Sequence, residues 1–264
     1  MSHVIAIANQ KGGVGKTTTA VNLGASLAAA EHRVLVIDID PQGNASSGLG
    51  VNARATKGSL YGVLLDHVPL GEAIVRGVHF PLLDVIPSSL ELAGAETELV
   101  AQPAARFRLR NAIAGVRDVY DFVLIDCPPA LGFLTLNALA AADSVLVPVQ
   151  TEYFALEGLS QFTEGIEAVR QHLNPRLRLG GVLLTMHDTR LGLSREVESE
   201  TRAYFGPQTL RTTIPRNVRL AEAPSFGKPA ILYDIGSAGA QAYLALASEL
   251  TARSRRRRPS PVGV

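Results

Sequence analysis

The chain has 264 residues, 47% of them apolar, with one cysteine and a formal net charge of +1. That length and apolar content suit a folded chain with a sizeable core and exclude an extended disordered polyelectrolyte. A lone cysteine, Cys127, excludes an intramolecular disulfide or a cysteine-built metal cage within one chain. The charge is unevenly placed: residues 252–264 carry five arginines and no acid, leaving 20 basic and 24 acidic residues elsewhere. Overall charge therefore does not announce nucleic-acid binding, and any such surface must be local. The longest charge-free apolar stretch, Cys127 to Ala142, has 16 residues and holds Pro128, Pro129 and Gly132, too short and too broken to cross a bilayer. The N-terminus runs straight into a predicted strand, with no room for a signal peptide. These features predict a soluble, cytoplasmic chain.

Short β-branched apolar runs alternate with helical patterns along the chain. Val4–Ala8 predicts a first strand and residues 16–30 a first helix; Val34–Ile37 predicts a second strand. The glycine-rich stretch 43–80 reads as an elaborated loop with short helices. Leu83–Ile86 is a third strand, 104–116 a helix, Phe122–Ile125 a fourth strand and 133–141 a helix. Val145–Val149 and Val182–Leu184 are two further strands, with helices at 156–172, 193–204 and 237–252. Near-continuous apolar strands alternating with helices predict an α/β fold: a doubly wound, mostly parallel sheet flanked by helices. Residues 1–251 read as one domain, and 252–264 as a basic, disordered tail.

The stretch "IAIANQKGGVGKTTTAVNL" at residues 5–23 places a glycine loop between the first strand and the first helix. It departs from the phosphate-loop pattern G-x-x-x-x-G-K-[ST] at Gln10, where the pattern wants glycine, and carries an extra lysine, Lys11. Gly12, Gly13, Val14 and Gly15 offer backbone N–H groups that, with the helix N-terminus, form a positive concavity for phosphate oxygens. Lys16 is placed to reach the β- and γ-phosphates, the Thr17 hydroxyl to bind Mg²⁺, and Thr18 to contact the α-phosphate. Taken alone, Lys11 fits a solvated surface lysine.

"VLVIDIDPQGN" puts Asp38 and Asp40 at the end of the second strand. Alternation sends both to the same face, at the sheet end where ligands gather in open α/β folds. "YDFVLIDCPP" is an apolar strand ending in Asp126, a Walker B pattern whose acid holds Mg²⁺ through water. Cys127 has no histidine neighbour and reads as a packed strand-end residue. The six histidines (3, 32, 67, 79, 172 and 187) show no metal-ligand spacing.

"KGGVGKTT", "DIDPQGN" and "LIDCPP", together with "LLTMHDTR" at 183–190 and "TIPRNVRLAEAPSFGKPAILYD" at 213–234, resemble the ParA/Soj partitioning ATPases. These are P-loop NTPases of the deviant Walker A (ParA/MinD) class, and the resemblance runs over about residues 2–250. It implies a slow ATPase with Mg²⁺ as cofactor, in which Lys11 reaches across a homodimer interface to the partner's phosphates, much as an arginine finger does. Gly12 would then be small because the facing subunit leaves no space. By the same resemblance Asp40 aligns or activates the attacking water, Asp38 helps organise the magnesium shell, and Pro215 and Asn217 lie beside the adenine. Arg190 and Arg219, with Arg216 a weaker candidate, would carry sequence-nonspecific binding of double-stranded DNA by the ATP-bound dimer. A ParB-type centromere-binding protein would stimulate hydrolysis, giving a nucleoid-associated protein that segregates chromosome origins or plasmids. The arginine-rich tail matches no motif of the family; it either adds DNA affinity or is an inert solvated end.

Three rivals are weaker. A MinD-like membrane-cycling ATPase in cell-division site placement needs a C-terminal amphipathic helix, whereas 237–252 is alanine-rich and the arginines that follow come as a block. A cluster-carrying iron-protein type needs two cysteines per subunit. A scaffold that binds without turnover would have lost Lys16 or Asp40.

Overall fold

The computed structural model describes residues 2–52, 58–65, 67–99, 102, 104–153 and 155–257. Its six strands are β1 (His3–Ile7), β2 (Val34–Asp38), β3 (Leu83–Ile86), β4 (Phe122–Asp126), β5 (Ser144–Gln150) and β6 (Arg178–Thr185). They form one sheet in the order β3-β2-β4-β1-β5-β6, and every pairing is parallel. The helices are α1 (Lys16–Ala29), α2 (Asn44–Gly48), α3 (Leu60–Leu64), α4 (Leu92–Leu99), α5 (Arg108–Ala114), α6 (Phe133–Ala141), α7 (Ala155–His172), α8 (Gly192–Phe205), α9 (Val218–Glu222), α10 (Ala230–Tyr233) and α11 (Ala238–Arg257).

Strand residues alternate between two cores, which is why the strands read as unbroken apolar runs. Val4, Ala6, Leu35, Ile37, Val123 and Ile125 pack with residues of α3 to α8 on one face. Ile5, Ile7, Val34, Val36 and Leu124 pack with α1 and α11 on the other. Because all strands run the same way, their C-terminal ends meet at one rim, where Asp38 lies beside Asp126 and Asp126 beside Ile7.

Four differences from the sequence reading have local causes. Helix α4 was not foreseen; its eight residues are too few for a clear period. The helix expected over 104–116 splits into a 3₁₀ turn at Ala105–Phe107 and α5. Strand β6 starts four residues before Val182 because Gly180 lets the chains close up: a Cβ there would lie 2.9 Å from the Ser144 hydroxyl, and the β5–β6 register shifts beside it. The boundary drawn at residue 251 is also corrected, since α11 runs on to Arg257. Arginine is a good helix former and nothing breaks the run until Pro259; residues 258–264 of the expected tail lie outside the described residues. Among the described residues, no helix is long and apolar enough to cross a membrane.

Helix α1 sits on the sheet at its one internal glycine, where a Cβ on Gly24 would lie 2.7 Å from Val36 Cγ2. Gly24→Ala should therefore destabilise the protein by about 1 kcal/mol net. Overpacking costs about 1–3 kcal/mol and the gain in helix propensity returns about 1. Chemical denaturation of the variant checks this, and an unchanged or higher midpoint contradicts the packing.

Candidate nucleotide site

The loop from Ala8 to Gly15 is held from both sides. Asn9 donates its side-chain amide to the Pro148 carbonyl at 2.8 Å and accepts the Lys11 N–H at 3.0 Å, tying the loop to β5. Thr185, at the end of β6, donates to the Val14 carbonyl at 2.8 Å. Gly13 and Gly15 have φ of +75° and +89°, conformations side chains rarely adopt, so the loop can turn its amides inward. Gly12 is different: it is absent from the positive-φ residues, and a Cβ there would meet nothing within 4 Å. Nothing within one chain requires glycine at that position.

Lys16 is buried at the N-terminus of α1 and donates to the Lys11 carbonyl at 3.0 Å. Burial lowers its ammonium below the ordinary range, and the nearby Asp126 carboxylate opposes that shift. Lys11 points outward and pairs with Glu152 at 3.0 Å; both side chains are more than 40% exposed, so the pair adds little stability. Glu152 is also bonded by the Gln150 side chain.

Asp38 and Asp126 are both fully buried and adjacent in register. Their environments differ. The oxygens of Asp38 are occupied: Oδ1 accepts the Asp40 N–H at 3.3 Å, and Oδ2 accepts the Ser46 N–H and hydroxyl at 2.8 and 2.7 Å. Neither oxygen of Asp126 has a partner in hydrogen-bond geometry, although the Thr17 hydroxyl lies close enough to favour its charged form. Desolvation, then the charge of Asp38, raises the Asp126 carboxyl well above the ordinary range. Desolvation raises Asp38 to about 6 despite its Ser46 bonds. An unpartnered buried carboxylate beside a threonine hydroxyl at the phosphate loop fits a hard divalent cation such as Mg²⁺. Asp40, also buried, accepts the Gln42 N–H at 3.0 Å.

Two cavities meet at Gly15, Thr18 and Met186. One, about 320 Å³, is lined by Gly12, Gly13, Lys16, Thr17 and Asp40. The other, about 210 Å³, is lined by Thr185, Ile214, Pro215, Asn217, Leu220 and Tyr243. The first has the polar lining a triphosphate needs and the second the apolar walls a base needs. The sequence-named residues 11–18, Asp40, Pro215 and Asn217 thus assemble at one rim. Asn217 also caps α9, accepting the Arg219 N–H at 3.1 Å. Thr185, Met186, Leu220, Tyr243, Glu152, Ser46 and Ser88 were not singled out from the sequence; of these, Thr185, Met186 (φ +50°) and Leu220 stand in quoted motifs.

Arg190 and Arg219 line neither cavity. Arg190 is 87% exposed and forks onto Asp188 at 2.7 and 2.9 Å, which holds the Asp188 carboxyl well below its ordinary range. Arg219 pairs with Glu222 at 2.8 Å and Asp234 at 3.3 Å. Arg216 is exposed and borders the base-sized cavity. Among the described residues no group of three or more His, Cys, Asp or Glu side chains is arranged to hold a metal by itself, so a cation at Asp126 would need ligands beyond the carboxylates, such as the Thr17 hydroxyl. His187 is buried, 2.8 Å from Glu198 without hydrogen-bond geometry.

Fold and rim together define a P-loop nucleotide-binding protein, and the family described as "AAA domain" matches residues 2–179. The chain is 54% identical over 259 residues to the chromosome partitioning protein ParA of Myxococcus xanthus, covering 98% of this chain and 91% of that protein. It is 53% identical to the sporulation initiation inhibitor protein Soj of Bacillus subtilis, covering 96% and 99%. A solved structure named as cobyrinic acid a,c-diamide synthase from Mycobacterium smegmatis, with bound ADP and magnesium, superposes with a TM-score of 0.85 at 37% identity over all of both chains. The chain belongs to the ParA/Soj family of chromosome-partitioning ATPases. Cys127 is buried, and desolvation pushes its thiol well above the ordinary range.

The raised carboxyls give a pH dependence with a definite sign. A folded-state acid pKa above its unfolded value stabilises below the unfolded value, near 4, and that contribution disappears as pH rises through about 6 for Asp38. The nucleotide-free protein should lose thermal stability as pH rises from about 4 through about 6, while the stabilisation given by Mg²⁺·ADP grows over the same range, because the cation needs the charged acids. Melting curves with and without Mg²⁺·ADP test this; a ligand-induced shift independent of pH counts against a cation at these acids.

Proposed function

We propose that the chain hydrolyses ATP slowly, cycling between a single copy that is nucleotide-free or ADP-bound and a dimer that sandwiches two ATP molecules. The observation that carries the reading is Gly12 beside Lys11. No contact or backbone angle within one chain calls for glycine there, and the neighbouring lysine stands at the open rim on a weak, solvent-screened pair. Both features make sense if a second copy closes over the loop.

In each site the amides of residues 12–16 cradle the phosphates, and Lys16 exchanges the Lys11 carbonyl for phosphate oxygens. Thr17 would hold Mg²⁺ directly, with Asp126 and Asp38 acting through water. The chemistry the ion supplies is neutralisation of charge on the phosphate oxygens. Asp40 orients the attacking water, since phosphoryl transfer asks the protein for alignment more than for covalent work. Lys11 leaves Glu152 and brings its charge to the partner's phosphates. Pro215 and Asn217 border the adenine.

The dimer would bind double-stranded DNA without reading bases, through Arg190 and Arg219, with Arg216 a lesser contributor; pairing two copies doubles each basic site along one duplex. A ParB-type partner would stimulate hydrolysis and release the dimer, placing the protein in the cytoplasm on the nucleoid. A membrane cycle is disfavoured because Leu246 and Leu250 of α11 are buried in the core shared with α1, leaving that apolar face committed.

Gly12→Val should bind nucleotide yet sediment as a single species with ATP and Mg²⁺, whereas Asp40→Ala should give a lasting dimer with turnover down by about 10²-fold or more. A Gly12→Val protein that dimerises normally defeats the account of Lys11. Arg190→Glu should lose retention on DNA at moderate salt while ATP-driven dimerisation persists. Unchanged retention refutes that residue's role.

A further inference from the structure

The loop carrying Asp40 is fastened to the sheet by two serines from separate segments. Ser46, in α2, donates its hydroxyl to Asp38 Oδ2 at 2.7 Å and its N–H to the same oxygen at 2.8 Å. That hydroxyl accepts the N–H of Ser88, just beyond β3, at 2.9 Å. Ser88 in turn donates its own hydroxyl to the Asp40 carbonyl. The Asp40 peptide is therefore gripped at both ends: its N–H by Asp38 Oδ1 and its carbonyl by Ser88, with the Gly43 N–H at 2.9 Å on the same oxygen. Asp38, Ser46, Ser88 and Asp40 are all less than 8% exposed, so water does not replace a bond that is removed.

The direction of each bond is fixed. The Ser88 N–H can only donate, so the Ser46 hydroxyl accepts from it and sends its own proton to Asp38. The result is a closed circuit, Asp38 to Ser46 to Ser88 to Asp40 and back to Asp38, joining the ends of β2 and β3 to the first turn of α2. A displacement of about 1 Å in a group that aligns a reactant costs on the order of 10²-fold in rate, and among the described residues no other hydrogen bond ties Asp40 to the segment that follows β3. We propose that Ser46 and Ser88 are positioning residues for hydrolysis, holding Asp40 against the strand ends so that its carboxylate is in place when the site fills. The inference rests on the ATPase reading above and on Asp40 as the residue that aligns water.

The test is steady-state ATP hydrolysis by the full chain, with direct nucleotide binding measured in parallel. Ser88→Ala removes the grip on the Asp40 carbonyl, and Ser46→Ala breaks the circuit at its centre. Each should lower kcat by about tenfold or more with KM and nucleotide Kd changed less than about threefold, and the double variant should be little worse than the poorer single one, because a shared circuit is broken once. Thermal melting identifies a variant that fails to fold; should Ser46→Ala do so, Ser88→Ala and Ser88→Thr carry the test, the threonine keeping the hydroxyl and recovering turnover. Wild-type kcat in Ser88→Ala, or equal losses in kcat and nucleotide affinity, overturns the inference while leaving the ATPase reading intact provided Asp40→Ala is inactive. Absence of hydrolysis by the wild-type chain overturns both.

Discussion

Two carboxylates buried side by side at the ends of β2 and β4 constrain everything around them. Removing an acid from water is costly, and Asp38 and Asp126 repel one another as well. The fold answers each differently. Asp38 is given three donors from its own loop and becomes the anchor for Asp40, whereas Asp126 is left with bare oxygens and the neighbourhood of Thr17 and Lys16. A pair arranged only for stability would have both acids satisfied. On the proposed reading a cation-bearing triphosphate would remove the deficit at Asp126, making ligand binding and relief of buried charge one event.

The parallel sheet makes this possible. The β3-β2-β4-β1 order places the phosphate loop next to Asp126 and Asp38 one strand further out. The C-terminal ends of β5 and β6 add Glu152 opposite Lys11 and Thr185 beneath the loop. Loop, acids and base-sized cavity share a rim because every strand ends there, as expected for an open α/β sheet. The exposed arginines obey a different logic. Arg190 and Arg219 are locally neutralised by Asp188, Glu222 and Asp234, so phosphate binding there would exchange one anion for another rather than discharge a bare cation. Such an exchange is weak per site and depends on salt, which suits a surface that works only when doubled.

What could be read from the sequence was whatever the chain keeps contiguous. The phosphate loop, the Asp38–Asp40 turn and the strand ending at Asp126 each lie within about ten residues, and their order along the chain already implies strand, loop and helix. The six strands were visible because burial on both faces leaves no polar alternation to obscure them. The contacts that fix the site's geometry join residues far apart in the chain: Asn9 to Pro148, Lys11 to Glu152, Thr185 to Val14, Ser88 to Ser46 and Asp40. A serine in a loop carries no local sign of which carbonyl it will meet. The end of α11 was misplaced for a related reason, since a block of arginines suggests a solvated tail by charge while being compatible with helix by backbone preference. Gly12 was the reverse case: the family resemblance already implied a facing subunit there, and the open space around it leaves no reason within one chain for a glycine.

The central claim is that Lys11 serves the phosphates of the other copy, and mixing two disabled variants measures it directly. Lys11→Ala and Asp40→Ala proteins should each be inactive alone. In a mixed dimer the Lys11→Ala copy keeps its own Asp40 and receives lysine from its partner, so ATP hydrolysis should reappear on mixing and rise with the fraction of mixed dimer. If the lysine acts only within its own chain, that site has no source of it, and a mixture that stays as inactive as its components under saturating ATP and Mg²⁺ contradicts the account.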